Sequence, residues 1–218
     1  MTTEKFSKRN LDPRLSSLYT SGGDKQKTYN RWAKNYEADL VNDMDYVAHI
    51  DVAQIFNQVI KDKNARILDV ACGTGLVGAE LGKLGFTQVD GTDFSSEMLK
   101  ISVDRGVYQD VYQHDFTQPL DRKGQYDALI CVGLFAFHEP KITDIIHVIQ
   151  AVRPQSYCVI SVNGAAWCEL ELETAVRSEA VKHGFCIEKI HKSRYIKREG
   201  INGRIMVIRS PEKFRIDE

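Results

Sequence analysis

The sequence predicts an α/β protein whose mostly parallel sheet carries helices on both faces. Short apolar runs alternate with segments of helical periodicity, and a glycine-rich turn follows the first of these runs. Two strand-like runs joined by a short, turn-rich link end the chain. Because parallel strands need crossover helices, the alternation is typical of a sheet covered on both faces, whereas the closing pair predicts an antiparallel hairpin.

Length and composition are those of one globular domain. The chain has 218 residues, of which 43% are hydrophobic and 27% charged, with a formal net charge of −1. This balance gives no electrostatic argument for nucleic acid or a membrane surface as a partner. There is no apolar leader and no run near the ~20 apolar residues of a membrane span, so we expect a cytoplasmic protein. The five cysteines form no CxxC pair, which predicts free, buried thiols and no metal site.

The start of the chain is predicted to be flexible and then helical. Residues 1–24 are polar and rich in turn-forming residues, so we expect a flexible segment there. Amphipathic helices are expected over Lys25 to about Met44 and about Tyr46 to Ile60. They open a domain that spans 25–211, after which 212–218 form a polar tail.

Strands and helices alternate from Ala65 onwards. We expect strands over Ala65–Val70, Gln88–Thr92, Val107–Tyr112, Tyr126–Val132, Ser156–Val162, Phe185–Lys197 and Arg204–Arg209. Between them we expect helices over Leu76–Leu84, from a cap at Ser95, over Lys141–Val152 and over Glu169–His183.

The glycine-rich turn is the first candidate for a binding site. Residues Gly73 to Gly78, GTGLVG, match GxGxxG between a strand and a helix. Asp93 ends the second strand and follows Gly73 by roughly 20 residues, the spacing between glycines and acid in a dinucleotide-binding fingerprint. In that fingerprint the glycines allow a tight turn, and the acid binds ribose hydroxyls. An NAD-dependent oxidoreductase is therefore one interpretation.

Asp69 favours a different cofactor. It lies just before the glycines, where a dinucleotide would place its pyrophosphate, and two anions would repel each other there. S-adenosylmethionine has no phosphate and carries a sulfonium and an ammonium group, which an acid attracts. The alternative role for Asp69 is to organise the loop by accepting backbone N–H groups.

Four motifs in order carry a family resemblance. They read ILDVACGTG from Ile67, VDGTDFSSEML from Val89, YQHDF from Tyr112 and YDALICVGLF from Tyr126. With the closing hairpin, they make the chain resemble the class I S-adenosylmethionine-dependent methyltransferases over roughly Ala65 to Arg209. The resemblance implies a Rossmann-like sheet of seven strands in the order 3-2-1-4-5-7-6, with the last strand antiparallel. The letters before the first motif, YNRWAKNYEADLVNDMDY, are similar to one subgroup, the methyltransferase-like proteins of the type encoded in the Williams–Beuren chromosomal region.

Chemistry and resemblance together assign the contacts to S-adenosylmethionine. Asp69 is expected at its amino-acid end, while Gly73 and Gly75 let the backbone pass close to it. Asp93 is expected to accept both ribose hydroxyls, since a carboxylate offers two oxygens to the two donors of a diol. Phe94 and Met98 are expected to pack on adenine. Asp115 is expected to accept a hydrogen bond from the adenine amine, beside the Phe116 N–H. A backbone carbonyl near Cys131 is a further expected contact, and Cys72 is expected to pack within the loop.

The aromatic stripe of the first helix has two interpretations. Tyr29, Trp32 and Tyr36 recur at helical spacing, which is typical of core packing. The resemblance implies instead that 25–60 form a lid over the cofactor, with Tyr36 nearest to its carboxylate. Lids of this kind order on binding and exclude water.

Catalysis offers one candidate base. A methyl acceptor with an O–H or N–H must lose a proton during transfer, and His138 follows the fourth strand with a side chain that titrates near neutral pH. The alternative is a histidine without a chemical role, with transfer relying on orientation of the acceptor.

The methyl acceptor is unknown from the sequence. We expect transfer to an oxygen or nitrogen of a small molecule rather than a protein side chain, with S-adenosylhomocysteine as the other product. Asn163, Trp167 and Tyr195 are candidates for the acceptor side. The chain is expected to be a monomer or homodimer, and a cofactor-binding protein without catalysis remains an alternative.

Overall fold

A seven-stranded sheet organises the computed structural model, which describes residues 12–15, 24–137 and 139–214. The strands lie in the order β3-β2-β1-β4-β5-β7-β6, as predicted. Their bounds are β1 Ile67–Val70, β2 Val89–Asp93, β3 Val111–Gln113, β4 Tyr126–Phe135, β5 Val152–Asn163, β6 Cys186–Ile196 and β7 Ile201–Arg209. Strands β1 to β5 pair in parallel, and β7 runs antiparallel to both β5 and β6, which confirms the closing hairpin.

Helices cover both faces of this sheet. They are α1 Lys25–Trp32, α2 Ala48–Val59, α3 Leu76–Lys83, α4 Ser96–Arg105, α5 Ile145–Ile149, α6 Gly164–Glu169 and α7 Leu172–His183. Ser95 caps α4, as expected, by accepting a hydrogen bond from the Met98 N–H at 3.2 Å.

Two hydrophobic cores lie on the two faces of the sheet. In β1, Ile67 packs into one core while Leu68 and Val70 pack into the other, and all are fully buried. Successive strand residues point to opposite faces, so a strand covered on both faces reads as one apolar run.

Several element boundaries differ from the predictions. The helix predicted over Lys25 to Met44 ends at Trp32 and continues as a 3-10 turn and a π-helix, Ala33–Asn35 and Ala38–Asp43. Strand β3 begins at Val111 rather than Val107. Strand β4 continues past Val132 because Gly133 adopts φ +87° within an irregularity of its pairing with β5. In the second half of the chain, β5 starts earlier than expected and the predicted helices are shorter, over Ile145–Ile149 and Leu172–His183.

All five cysteines are free, as predicted, but they are not all buried. Cys72, Cys131 and Cys158 are buried. The expected burial is wrong for Cys168 and Cys186, because Cys168 lies on the outer face of the short helix α6 and Cys186 begins the edge strand β6.

The predicted flexible segment 1–24 lies mostly outside the described residues. The part that is described is packed: Leu15 is only 2% exposed, and the Arg14 guanidinium contacts Asp39 at 2.6 Å. Within the described ranges, no helix combines the length and the apolar character that crossing a bilayer demands. The same residues contain no group of three or more His, Cys, Asp or Glu placed to hold a metal ion.

Candidate cofactor site

A cleft opens at the carboxyl ends of β1, β2 and β4. This is the topological switch point of the sheet: the strands continue from β1 towards one edge and from β4 towards the other. Open α/β sheets bind ligands at such a point. The cleft's empty volume is about 660 Å³, counting solvent at its mouth. The predicted site residues that line it are Tyr36, Gly73, Asp93, Phe94, Met98, Asp115 and Phe116.

Other predicted site residues lie elsewhere. Asp69, Cys72, Gly75 and Cys131 do not line the cleft. Because β4 continues to Phe135, its residues Val132, Gly133 and Leu134 face the cleft, while Cys131 is buried in the core. His138 lies outside the described residues; its chain neighbour Glu139 lines the cleft.

Asp93 is a buried carboxylate at the end of β2. Oδ2 accepts a hydrogen bond from the Gly73 N–H and Oδ1 accepts one from the Ser95 N–H, both at 2.9 Å. Burial raises the pKa of Asp93 to about 6, against the opposite effect of these backbone donors. Each oxygen keeps a further acceptor position, so the carboxylate can still accept ligand hydroxyls.

Two N–H groups of the glycine loop, which spans 73–78, already have partners. The Gly73 N–H donates to Asp93, and the Gly75 N–H donates to the Cys72 carbonyl at 2.9 Å. Gly73 has φ +54°, and a Cβ built on it meets no described atom within 4 Å. The chain therefore leaves space beside Gly73 at the cleft wall, and a glycine there keeps that space open for a ligand.

Asp69 lies behind this wall. It is 0% exposed, its Oδ2 accepts a 2.6 Å hydrogen bond from the Tyr108 hydroxyl, and its Oδ1 has no hydrogen-bond partner among the described residues. Burial raises the pKa of Asp69 to about 8. Ala71, two residues further on, does line the cleft.

Cys72 packs beneath the same loop. It is buried, and a Cβ on Gly91 would lie 3.1 Å from its Sγ. Burial raises the pKa of Cys72 well above its ordinary value, which keeps the side chain a thiol. These features agree with a packing role rather than a nucleophilic one.

The side of the cleft assigned to adenine mixes apolar and polar groups. Met98 and Phe116 are buried and Phe94 is partly buried, so the cleft has an apolar wall. Asp115 is exposed at the rim, where its Oδ1 accepts hydrogen bonds from the N–H and the hydroxyl of Thr117. This loop geometry fixes the carboxylate beside the Phe116 backbone.

Helix α1 is docked on the cleft. The rings of Tyr29 and Phe94 meet edge to face at 5.4 Å. The side chain of Gln26 donates to the Phe94 carbonyl, and the Ser95 hydroxyl donates to Asn30 Oδ1, both at 2.6 Å. The N-terminal helical part, residues 25–44, thus forms one side of the cleft through Tyr29 and Tyr36.

Sequence reasoning missed two residues that hold this site together. Arg105, at the end of α4, donates through Nε to the Thr74 carbonyl at 2.8 Å and pairs through Nη2 with Glu37. It therefore ties the glycine loop to the N-terminal helical part. Tyr108 is the partner of Asp69 and fills a slot beside Gly78. Neither position belongs to a motif. The contact between a tyrosine and a glycine that is distant in the chain cannot be recognised in a single sequence.

Comparison with known proteins identifies a domain in the middle of the chain. Residues 67–155 match the protein family described as a methyltransferase domain. The chain is 39% identical over 109 residues to methyltransferase-like protein 27 of Homo sapiens, covering 48% of this chain and 44% of that protein. It is 26% identical over 140 residues to a ubiquinone biosynthesis O-methyltransferase of Rickettsia typhi, covering 62% and 56%. The matches thus span about half the length of these curated relatives.

A solved structure agrees on the fold. The S-adenosylmethionine dependent methyltransferase from Mesorhizobium loti superposes with a TM-score of 0.55 at 14% identity, over 72% of this chain and 96% of that one. The resemblance carried by the four sequence motifs is therefore confirmed at the level of fold and domain. Residues 67–155 match the methyltransferase domain family, and the sheet around them has the class I, Rossmann-like fold.

Proposed function

We propose that this chain is an S-adenosylmethionine-dependent methyltransferase that moves a methyl group to an oxygen or nitrogen of a small molecule. The observation that carries the proposal is Asp93, a buried carboxylate that lines the cleft beside the open space at Gly73. The names of the relatives in the family support the methyl donor, and the O-methyltransferase from Rickettsia typhi supports a small-molecule acceptor.

The residues of the cleft fit the parts of S-adenosylmethionine. Asp93 would accept the ribose hydroxyls, and the apolar wall of Phe94, Met98 and Phe116 would pack on adenine. Asp69 lies behind the cleft wall with a raised pKa, so it would attract the cationic amino-acid end through water once that cation lowers its pKa. When bound, the sulfonium group supplies an activated methyl for direct displacement.

The chain's own groups would then orient the acceptor and dispose of its proton. Helix α1 and Tyr36 would exclude water from the cleft, and holding the acceptor in line with the methyl group can supply several kcal/mol. We propose His138 as the base that takes the acceptor's proton, since its chain neighbour Glu139 lines the cleft.

The glycine loop argues against a dinucleotide in the same cleft. The Gly73 N–H, which a pyrophosphate would use, already donates to Asp93, and Gly75 donates to a backbone carbonyl. A pyrophosphate would also lie beside the carboxylate of Asp93. An NAD-dependent oxidoreductase is therefore the weaker alternative.

Calorimetric titration tests the cofactor. The protein should bind S-adenosylhomocysteine, and Asp93→Asn should weaken that binding by about 1.5–3 kcal/mol, the range for a hydrogen bond to a charged group. Asp104→Asn, which removes a carboxylate from the exposed face of α4, is the matched control and should bind as wild type does. Heat from NADH with none from S-adenosylhomocysteine would overturn the proposal.

Labelled methyl transfer separates an enzyme from a cofactor-binding protein without catalysis. The protein is incubated with methyl-labelled S-adenosylmethionine and a cell extract, and the label is followed into small-molecule and protein fractions. We expect label in a small-molecule fraction. Binding without transfer to any fraction would favour the non-catalytic alternative, and label in protein would contradict the small-molecule acceptor.

A further inference from the structure

A second cavity adjoins the cofactor cleft. It shares three wall residues with that cleft, namely Tyr29, Tyr36 and Gly133, so the two spaces meet at this wall. Its empty volume is about 460 Å³, counting the solvent at its open mouth. Of the three acceptor-side candidates, Asn163 and Tyr195 line it and Trp167 does not.

The wall of this second cavity is aromatic and uncharged. Four tyrosines and one tryptophan dominate it, and no Asp, Glu, Lys, Arg or His is found among its described wall residues. The aromatic members are Tyr29, Trp32, Tyr36, Tyr46 and Tyr195. Transfer of an ionised group into such surroundings carries a large desolvation cost unless an opposite charge compensates it.

The polar groups of the wall gather beside Gly133. A Cβ built on Gly133 would lie 3.5 Å from the Tyr195 hydroxyl and 3.7 Å from the Tyr46 hydroxyl. Burial raises the pKa of both Tyr36 and Tyr46 well above the ordinary value, so these groups stay neutral hydroxyls near neutral pH. Neutral hydroxyls can donate or accept a hydrogen bond, which suits an uncharged polar ligand.

The ring geometry does not form a cage for a cation. Such a cage needs several ring faces directed at one point. Here Trp32 and Tyr36 meet edge to face at 4.9 Å, and Tyr46 and Tyr195 do so at 5.5 Å, so one face in each pair is covered by a neighbouring edge. The Tyr46 ring is also stacked on the His49 imidazole at 5.4 Å.

We propose that this second cavity is the acceptor site and that it takes an uncharged, ring-containing small molecule whose hydroxyl receives the methyl group. The assignment rests on the proposed methyltransferase function. In the transfer, the acceptor oxygen bonds to the methyl carbon while the carbon–sulfur bond breaks with its electron pair left on sulfur. The acceptor's hydroxyl proton leaves to a base or to solvent.

Tryptophan fluorescence gives a local probe of this cavity. The chain has two tryptophans, and only Trp32 lines the cavity. Trp167→Phe therefore leaves Trp32 as the single reporter, and Trp32→Phe is the matched control that leaves only Trp167. Three ligands that share one ring but differ in charge are titrated with S-adenosylhomocysteine present: benzyl alcohol, benzoate and benzylamine.

Benzyl alcohol should change the Trp32 signal with an affinity at least about tenfold higher than that of benzoate or benzylamine, since only it enters without a desolvated charge. The Trp32→Phe control should show no such response. A preference for benzoate or benzylamine, equal affinity for all three, or no response to benzyl alcohol would overturn the inference.

A cavity-filling variant locates the binding. Ala136 lines the second cavity but not the cofactor cleft. Ala136→Phe should weaken benzyl alcohol binding about tenfold or more and leave S-adenosylhomocysteine binding unchanged, whereas Ala136→Ser should affect neither. Undiminished benzyl alcohol binding in Ala136→Phe would refute the location. If the wild-type protein does not bind S-adenosylhomocysteine at all, the proposed function is refuted, and with it the role of this cavity as an acceptor site.

Discussion

The Tyr108 hydroxyl reaches the fully buried Oδ2 of Asp69 at 2.6 Å through a slot that glycines leave open. A Cβ on Gly78 would lie 2.6 Å from the Tyr108 ring, and one on Gly91 would lie 3.1 Å from it. These two glycines belong to α3 and β2, so the slot exists only where helix and sheet pack together. The pair thus joins the glycine loop, the sheet and the segment after α4.

Gly78→Ala should destabilise the protein by about 1–3 kcal/mol, the usual cost of overpacking. The Tyr108 ring cannot move away easily, because its hydroxyl is hydrogen-bonded to the buried Asp69. Gly82→Ala, in the same helix, is the matched control: a Cβ there meets nothing within 4 Å, so it should add about 0.5–1 kcal/mol of stability. Urea unfolding of both variants measures this, and two stabilised variants would contradict the slot.

Asp69→Asn should remove a pH dependence of stability. Between the ordinary pKa of 3.8 and about 8, folded Asp69 holds a proton that the unfolded chain releases, so stability falls as pH rises, by about 1.4 kcal/mol per pH unit. From pH 5 to pH 8, Asp69→Asn should therefore gain up to about 4 kcal/mol relative to wild type. The free energy of unfolding of the ligand-free protein measures it; Asp104→Asn should follow wild type. Parallel profiles for wild type and Asp69→Asn would show that the carboxyl ionises normally.

Arg105→Ala should loosen the N-terminal helical part from the glycine loop. The variant loses the hydrogen bond to the Thr74 carbonyl and the ion pair with Glu37. We expect faster amide hydrogen exchange across 25–44 and weaker S-adenosylhomocysteine binding, by about 1–3 kcal/mol. Lys100→Ala, which removes an exposed ion pair with Glu97 on the same helix, should change neither quantity. Unaltered exchange in Arg105→Ala would mean that the helical part is held without this link.

His138→Ala tests the proposed base. We expect labelled methyl transfer to fall about 100-fold or more, the lower range for general base catalysis, while S-adenosylhomocysteine affinity changes little. His191→Ala on the edge strand β6 is the control and should transfer as wild type does. If His138→Ala instead loses the cofactor, the histidine has a binding or structural role.

Much of the fold follows from local sequence. Strand β1 is apolar except for Asp69 because both its faces are covered, and the turn-rich link before β7 predicts the hairpin. Asp93 ends β2, as the sequence predicts, since the alternation and the glycine motif fix that point of the chain. Element ends were less predictable: β4 continues past Val132 because a bulge with Gly133 in the left-handed region extends it.

By itself, the sequence determined the alternation of strands and helices and the acid at the end of β2, and its motifs gave the strand order through the family that they resemble. Only the tertiary structure decided which side chains meet. Asp69 lies in the first motif, yet the fold buries it behind the cleft and gives it Tyr108 as partner. The aromatic stripe lines two cavities: Tyr29 and Tyr36 line the cleft, and together with Trp32 they also line the second cavity. Contacts of this kind join residues far apart in the chain, and local periodicity carries no information about them.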